Sequence, residues 1–491
     1  MELDYRRIAL GGALSTGLGQ VARIAFQAAA LVLLARLLSP ADFGVAAMVL
    51  PILSFATILQ EAGLGAALIQ RKSVTPAELA TLFWVNAGIG LLLCAALILL
   101  APVAASFFRE PRVEGLMVAS GPLVLVAALG SQPVSLLNRD MRYGALAIID
   151  VAAQGAGFVV GVAVAVATRS YWALWLAPAA VIACSSLSAW FLTRAGLTRP
   201  APLRAVRDML GFGAHLTVNN VFIYVGRNLD SLLIGRRWGE VSLGYYDRAY
   251  KLMMMPLLMV SSPLQRLVVP ILARTVEEPD RHRRFYLTTL QILLVGVAPG
   301  MAALVAAPAT GMLVILGPGW EETARIFQWL GLAALVQLVT NSFGWLYIGQ
   351  GRPRDMMLAG LATTCWTAAA FVVGLPWGAR GVALAYALSE SVRLPVACWW
   401  VTRRGPVRGR DLAGAVLPFV PAVLIGIAAA GSVDRLAHAS PWAGLLGATA
   451  ACYACAWSAL LLSREGRVCL ARAVQLVRGV AADAARRLAP A

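Results

Sequence analysis

The sequence predicts an all-α, polytopic membrane protein with about fourteen transmembrane helices. Its 491 residues are 60% hydrophobic and only 13% charged, whereas a soluble domain typically carries about 25% charged residues. The apolar residues also gather into runs of roughly 20, which is the length of helix that crosses a bilayer. One of these runs contains Arg227 and Asp230, and charges at bilayer depth indicate a polar protein interior.

Fourteen apolar runs follow one another along the chain. Several contain proline, which a membrane helix tolerates when neighbouring groups or water satisfy the freed backbone atoms. No short hydrophobic core with a small-residue cleavage site begins the chain, so we expect the first run to remain as an anchor. The predicted spans are 13–37, 43–67, 79–101, 113–137, 145–167, 171–192, 211–235, 247–273, 286–307, 324–349, 356–377, 381–402, 412–431 and 440–463.

The basic residues predict how these spans are oriented. With the N-terminus placed in the cytoplasm, most of the 41 Lys and Arg residues fall in cytoplasmic loops or in the C-terminal tail. This distribution follows the positive-inside rule and predicts that both termini are cytoplasmic. The net charge of +17 is then explained by the anionic inner leaflet, and we expect no nucleic-acid partner.

The longest internal polar loop, 193–210, predicts a seam between two six-span lobes, 1–192 and 211–402. Residues 403–463 would add spans thirteen and fourteen to this twelve-span arrangement. Arginine alternates with Val, Leu and Ala in 464–491, which predicts a basic amphipathic helix on the cytoplasmic membrane surface.

A weak internal repeat supports the two-lobe division. Residues 33–48 and 232–248 each end a span with Leu-Leu and a basic residue, cross a short turn, and resume at an apolar–glycine pair. The pairs are Phe43-Gly44 and Leu243-Gly244, which lie 200 residues apart. Parallel repeats of this kind are common in transporters whose substrate sites lie between the two halves.

Three arginines lie near mid-depth in spans one, seven and twelve: Arg23, Arg227 and Arg393. Each such charge costs about 2.5–3.5 kcal/mol on insertion scales, so we expect them to line a shared cationic cavity. The guanidinium fork donates two parallel hydrogen bonds and suits a phosphate. The predicted substrate-binding residues are these arginines together with Gln27, Asn219 and Asn220.

Four intramembrane acids leave two interpretations open. Glu61, Asp150, Asp230 and Glu390 are predicted either to couple proton or sodium flow or to form salt bridges between helices. The arginines have the same structural alternative, since Arg227 with Asp230, and Glu390 with Arg393, are three residues apart on one helical face.

No motif for catalysis or for cofactor binding is found in the sequence. It contains no Walker-A loop, no HExxH and no GxSxG, and its three histidines are scattered. Cys452 and Cys455 form a C-x-x-C within a helical run, where packing is the simpler explanation. We therefore expect a protein that is not an enzyme and that uses no cofactor or metal.

Three segments resemble the bacterial polysaccharide flippases of the Wzx type, which export O-antigen and exopolysaccharide units. They are LARLLSPADFGVAAMVLPILSFATILQEAGLGAALIQRK (34–72), LLNRDMRYGALAIIDVAAQ (136–154), and NLDSLLIGRRWGEVSLGYYDRAYKLMMMPLLMVSSPLQRLVVPILAR (228–274). The resemblance covers roughly residues 1–400. Within the family, the sequence looks closest to the branch that includes the colanic-acid exporters.

The resemblance implies membership of the multidrug/oligosaccharidyl-lipid/polysaccharide exporter superfamily, with two six-helix lobes around a central cavity. It also implies a flippase that moves an undecaprenyl-diphosphate-linked oligosaccharide across the bacterial inner membrane by alternating access. The implied partners are the lipid-linked oligosaccharide, membrane lipids and the polysaccharide polymerase or export machinery.

Three other functions remain open at this stage. A lipid II flippase would serve peptidoglycan synthesis instead. A cation-coupled drug exporter would be expected to have a cavity dominated by acids and aromatic residues rather than by arginines. A scaffold of a polysaccharide synthase would transport nothing.

Overall fold

The computed structural model describes residues 2–61, 64–71, 74–193, 199–436, 440–462, 466–471 and 475. The side chains of 2–18 and of most residues in 212–227 lie outside this description. Over the described residues the chain is helical and forms no strand, which confirms the predicted all-α class.

The helices belong to two compact units, Met1–Asp247 and Arg248–Ala491. The predicted seam at 193–210 stays a prediction, as does the amphipathic tail, most of which lies outside the described residues. The first unit contains α1 Glu2–Leu37, α2 Pro40–Glu61, α3 Leu64–Gln70, α4 Pro76–Phe108, α5 Arg112–Arg139, α6 Tyr143–Thr168, α7 Trp172–Thr193, a 3-10 turn Leu203–Val206, and the first part of α8 Arg207–Arg274.

The second unit begins at Arg248, within α8, and contains the helices that follow. Its remaining helices are α9 Pro279–Ala306, α10 Pro308–Ile315, α11 Glu321–Thr340, α12 Phe343–Gly349, α13 Pro353–Gly374, a 3-10 turn Leu375–Trp377, α14 Gly378–Thr402, α15 Gly409–Val416, α16 Phe419–Leu436 and α17 Pro441–Leu462.

The long helices are apolar on both faces, as expected for a helix that packs against protein on one side and lipid on the other. In α4, Cys94, Leu97 and Ala101 are buried, while Leu92 and Leu99 on the opposite face are exposed. In the described part of the chain, 11 segments are long and apolar enough to cross a membrane, or up to 12 with one bent pair. The chain is therefore a multi-pass membrane protein.

The predicted count of fourteen is not confirmed by this criterion, which covers only the described residues. Two glycines interrupt long helical segments. Gly239 (φ 77°, ψ −174°) lies within α8, and Gly378 (φ 75°, ψ −166°) joins α13 to α14. The segment of 50 residues at 353–402 counts once, although a straight helix of that length would be about 75 Å long. A Cβ on Gly374 would lie 2.5 Å from the carbonyl oxygen of Gly381, so α13 and α14 meet closely beside this turn.

Small residues allow neighbouring helices to pack closely within each unit. On α6, the buried face contains Ala153, Gly157 and Gly161, and a Cβ on Gly157 would lie 2.8 Å from the carbonyl oxygen of Ala177 on α7. A Cβ on Gly426 of α16 would likewise lie 2.8 Å from the Sγ atom of Cys452 on α17. Membrane helices associate largely through such close van der Waals packing.

Two prolines inside helices expose carbonyl groups that tryptophan side chains satisfy. Pro133 cannot donate to the carbonyl of Leu129, four residues earlier, and the indole Nε1 of Trp190 on α7 donates to that oxygen at 2.9 Å. Pro299 leaves the carbonyl of Val295 free in the same way, and Trp457 on α17 donates to it at 3.3 Å. Each break in a membrane helix is thus stabilised by a neighbouring helix.

Replacing Trp190 by Phe should lower the thermal unfolding temperature in detergent, because the carbonyl of Leu129 loses its donor at a cost of about 1–3 kcal/mol. Trp442→Phe is the matched control, since this side chain is exposed and a ring of similar size is retained. Equal unfolding temperatures for the two variants would contradict a role for the indole hydrogen bond.

Candidate functional site

Arg23 and Gln27 lie one turn apart on α1, and both side chains are exposed. The helix α1 packs against α6 through Gly19, where a Cβ would lie 3.4 Å from the Cβ of Ala147. Arg23 interacts electrostatically with Asp150 on α6. The structure therefore brings one predicted binding residue close to one predicted acid within the first unit.

The structure does not test the binding residues predicted on span seven. Asn219, Asn220 and Arg227 lie in α8, but their side chains are outside the described residues, so their roles stay predictions. Nearby, the Tyr224 hydroxyl donates to the carbonyl of Pro51 on α2 at 2.9 Å. This bond ties span seven to α2 within the first unit.

Asp230 is almost fully buried, with 2% of its surface exposed. Its carboxylate accepts a hydrogen bond from the Tyr246 hydroxyl at 2.9 Å and another from the backbone N–H of Ser231 at 2.8 Å. Tyr246 follows the break at Gly239, so this bond ties the two parts of α8 together across that break. The geometry fits the structural interpretation of Asp230, while ion coupling stays a prediction.

Glu390 and Arg393 form an ion pair on α14 in the second unit. The two guanidinium–carboxylate distances are 2.6 Å and 3.1 Å, and Arg393 also donates to the Thr363 hydroxyl on α13 at 3.3 Å. Glu390 is 2% exposed and the Arg393 side chain 15%. The Glu390 carboxylate therefore balances the positive charge of Arg393. A bidentate pair of this kind is among the stronger hydrogen-bonded contacts in proteins.

Glu61, the remaining predicted acid, lies at the C-terminal end of α2 and is exposed. Its neighbour Gln60 belongs to a buried polar network that the sequence did not single out. Gln60 donates to the Asn86 side-chain oxygen at 2.8 Å, and Asn86 donates to the carbonyl of Ala128 at 2.8 Å and to the Ser131 hydroxyl at 2.5 Å. The network joins α2, α4 and α5.

A small cavity lies beside this network. Its volume is about 20 Å³, and its lining includes Asn86, Ser131, Gln132 and Ser135 together with apolar residues. A buried water needs about 10–15 Å³ and two or more polar partners, so the cavity has room for one water molecule. Together the network and cavity form a polar region inside the first unit.

The two repeated apolar–glycine pairs meet in the structure. A Cβ on Gly44 would overlap the carbonyl oxygen of Glu240, and a Cβ on Gly244 would overlap the carbonyl oxygen of Pro40. Pro40 and Glu240 are themselves 200 residues apart, so the contact is reciprocal between equivalent positions of the repeat. We refer to Pro40, Gly44, Glu240 and Gly244 as the two-fold glycine contact.

Local sequence explains how α2 begins at this contact. Ser39 and Asp42 cap the helix reciprocally, with Asp42 accepting from the Ser39 N–H at 3.0 Å and Ser39 Oγ accepting from the Asp42 N–H at 3.3 Å. Pro40 occupies the first helical position, where its missing N–H has no intrahelical partner to lose. Phe43 and Leu243, beside the two glycines, are fully buried, so an apolar core surrounds the contact.

Charged residues reinforce the same end of the first unit. Arg112 binds both oxygens of Glu110, at 2.7 Å and 3.0 Å, and this hydrogen bonding lowers the pKa of Glu110 from its usual value. Arg112 also lies 3.4 Å from a carboxylate oxygen of Glu240. Arg236 donates to the carbonyl of Phe107 at 2.7 Å. The contact of Arg112 with Glu240 joins the start of α5 to α8, and the bond from Arg236 to Phe107 joins α8 to the end of α4.

Comparison with known proteins places this architecture in a family. Residues 33–325, more than half of the chain, match the family described as "Polysaccharide biosynthesis protein". The chain belongs to that family. This result confirms the resemblance to polysaccharide flippases stated from the sequence.

Individual relatives agree with the family match. The chain is 25% identical over 400 residues to the lipopolysaccharide biosynthesis protein WzxC of Escherichia coli (strain K12), which covers 79% of this chain and 80% of WzxC. It is 27% identical over 301 residues to the teichuronic acid biosynthesis protein TuaB of Bacillus subtilis (strain 168), covering 61% and 62% of the two chains.

A solved structure shows the same fold. The lipid II flippase MurJ in an inward closed conformation superimposes with a TM-score of 0.70 at 14% sequence identity. The match covers 91% of this chain and 98% of the MurJ chain. The predicted polytopic helical architecture is thereby confirmed at the level of the fold.

Substituting Gly44 by Ala should separate the helices at the two-fold glycine contact, because the new methyl group would overlap a backbone carbonyl. We expect a cost of about 1–3 kcal/mol and faster hydrogen exchange in both 40–48 and 240–248, measured by mass spectrometry. Gly88→Ala is the control, since nothing lies within 4 Å of a Cβ there. Equal exchange in the two variants would contradict the contact.

Replacing Arg393 by Met should destabilise the protein by about 3–5 kcal/mol, because the buried Glu390 would lose its counter-charge. The double variant Glu390→Leu/Arg393→Met should recover much of this loss in thermal unfolding. Arg325→Met, which removes an exposed partner of Glu322, should cost less than about 1 kcal/mol. Equal losses in the single and double variants would argue against the ion pair.

Proposed function

We propose that this chain is a flippase for undecaprenyl-diphosphate-linked oligosaccharide repeat units. It moves them from the inner to the outer leaflet of the bacterial cytoplasmic membrane by alternating access, and so supplies the export of cell-surface polysaccharide. The observation that carries the proposal is the family match over residues 33–325. The names of the lipopolysaccharide biosynthesis protein WzxC and the teichuronic acid biosynthesis protein TuaB support the same class of cargo.

The physical task explains why such a protein has charges within its membrane helices. A diphosphate and its sugars are strongly hydrated, and an unpaired polar group in hydrocarbon costs several kcal/mol. The lipid tail, in contrast, can stay in the bilayer throughout. A polar path with arginine donors lowers the barrier for the headgroup alone, and needs no bond to be formed or broken. The protein acts as a transporter rather than an enzyme.

Arg23 and Arg227 are the diphosphate contacts in this proposal, with Gln27, Asn219 and Asn220 contacting the sugars. Arg23 fits this role because its side chain is exposed. Arg393 requires a further step, because Glu390 already occupies two of its donors. Protonation or displacement of Glu390 would free Arg393 for the cargo, which would link the ion pair to the transport cycle.

The two-fold glycine contact supports alternating access. It joins equivalent positions of two repeated segments, and closed contacts of this kind can open as a unit when packed helices move against each other. In the orientation predicted from the basic residues, with both termini cytoplasmic, this contact closes the outer side. The polysaccharide polymerase or export machinery is the proposed partner on that side.

A lipid II flippase is the second candidate, and the likeness of the fold to MurJ favours it. The two candidates differ in their genetics. A lipid II flippase is required for growth, whereas loss of a polysaccharide exporter should abolish the surface polysaccharide and leave growth intact.

Arg227→Ala should strongly reduce polysaccharide export when it is expressed in place of the native chain, because a diphosphate contact is lost. Export is measured as extracellular polysaccharide, with the amount of protein in the membrane confirmed by immunoblot. Arg266→Ala is the matched control, since Arg266 is an exposed arginine of the same helix that has no assigned role. Normal export by Arg227→Ala, or equal loss in both variants, would count against the proposed site.

A further inference from the structure

A second group of arginines lies in the second unit, where the turn before α13 meets the end of α14. Arg352 holds the two segments together: its guanidinium donates to the carbonyls of Val401 and Arg404 at 3.0 Å and 2.6 Å. It also donates to the Gln350 side-chain oxygen at 3.0 Å and to Asp355 at 2.9 Å. These bonds fix the backbone of both segments.

Asp355 is surrounded by more positive charge than it can balance. Arg352, Arg403 and Arg404 all place nitrogen atoms near its carboxylate, at 2.8 Å, 3.3 Å and 3.8 Å. One carboxylate and three guanidinium groups leave a fixed net charge of +2. Arg352 has only 13% of its side chain exposed, whereas Arg404 has 70%, so the surplus charge faces outward at Arg404.

Aromatic packing positions another of these arginines. The guanidinium of Arg403 lies 3.5 Å from the centre of the Trp400 ring, which is a close cation–π contact. The Trp400 indole donates to the carbonyl of Asp355 at 3.4 Å. Arginine and tryptophan together at the end of a membrane helix are typical of the headgroup level of a bilayer.

Apolar stripes run from these arginines along both helices. On α14, the exposed residues Val392, Val396 and Trp399 precede Arg403 at helical spacing. On α13, the exposed residues Leu358 and Leu361 follow the exposed Arg354 in the same way. The surface therefore offers positive charge at one end and hydrocarbon contacts over the following two to three turns.

We infer that this surface binds an anionic phospholipid, with its phosphodiester at Arg354, Arg403 and Arg404 and its acyl chains along the stripes of α13 and α14. The two complementary parts carry the assignment. Guanidinium groups donate paired hydrogen bonds to phosphate oxygens, and basic pockets between membrane helices recognise anionic headgroups. A free phosphate would use the charge but leave the stripes unexplained. The inference does not depend on the transported cargo.

Native mass spectrometry of the purified full-length protein tests this site. Lipid adducts are compared for phosphatidylglycerol and phosphatidylcholine of matched chain length. The double variant Arg354→Gln/Arg404→Gln should weaken phosphatidylglycerol binding roughly thirtyfold, since two arginines near a headgroup together contribute about 2 kcal/mol. Binding of phosphatidylcholine should not change. Both side chains are exposed, and the Arg404 carbonyl that accepts from Arg352 is retained.

The control is Arg281→Gln/Arg284→Gln, which removes the same charge from exposed positions on α9 of the same unit. Unchanged phosphatidylglycerol binding in the first variant, or an equal loss in both, would overturn the site. Equal binding of both lipids by the native protein would also overturn it. A preference for a polyprenyl diphosphate over phosphatidylglycerol, lost in the first variant, would reassign the surface to the cargo.

Discussion

The bilayer leaves every backbone N–H and C=O within it without water as a partner, and the rest of this structure depends on how those groups are satisfied. Regular helices meet most of the demand. At Pro133 and Pro299, which break the ladder, a tryptophan from another helix supplies the missing donor, Trp190 to Leu129 and Trp457 to Val295. At these two positions the same constraint requires α7 to lie beside α5, and α17 beside α9. The helices that carry spans thirteen and fourteen are part of this arrangement, because Trp457 supports a break in α9.

Close approach is the second consequence. With lipid as apolar as the side chains, helices gain little from the hydrophobic effect and associate through contact between small residues. Glycine is required where backbones nearly touch, and the two-fold glycine contact is the tightest example within the first unit. The contact of Gly44 with the Glu240 carbonyl and that of Gly244 with the Pro40 carbonyl occur at equivalent positions of the repeat.

The intramembrane charges divide according to their surroundings. Glu390 and Arg393 are buried as a pair, and Asp230 is held by Tyr246, so each of these acids contributes to packing in the state described. Arg23 is exposed and interacts with Asp150 across two helices. In the proposed transport cycle, the buried groups would keep the helices in register, and an exposed cation such as Arg23 would contact the anionic headgroup.

The helical class and the membrane could be predicted from hydropathy, and the family from the resemblance of three segments to known flippases. The glycine pairs Phe43-Gly44 and Leu243-Gly244, noticed as a local pattern, meet in the structure. Partners distant in the chain were missed. Gln60 and Asn86 are 26 residues apart and Asn86 and Ser131 are 45 apart, so no periodicity links them. The pair Glu390 and Arg393 could be anticipated from its three-residue spacing. The predicted count of fourteen spans is not confirmed over the described residues, where 353–402 counts as one segment although Gly378 interrupts it.

Transport by the purified protein tests the central claim most directly. Vesicles containing the protein and a fluorescent, diphosphate-linked polyprenyl oligosaccharide are exposed to a quencher that cannot cross the membrane. A flippase should make the inner-leaflet lipid accessible to the quencher over time, with Arg227→Ala slower than Arg266→Ala. If the accessible fraction stays at the outer-leaflet value of protein-free vesicles, under conditions where the protein is folded and supplied with proton and sodium gradients, the protein does not move this cargo.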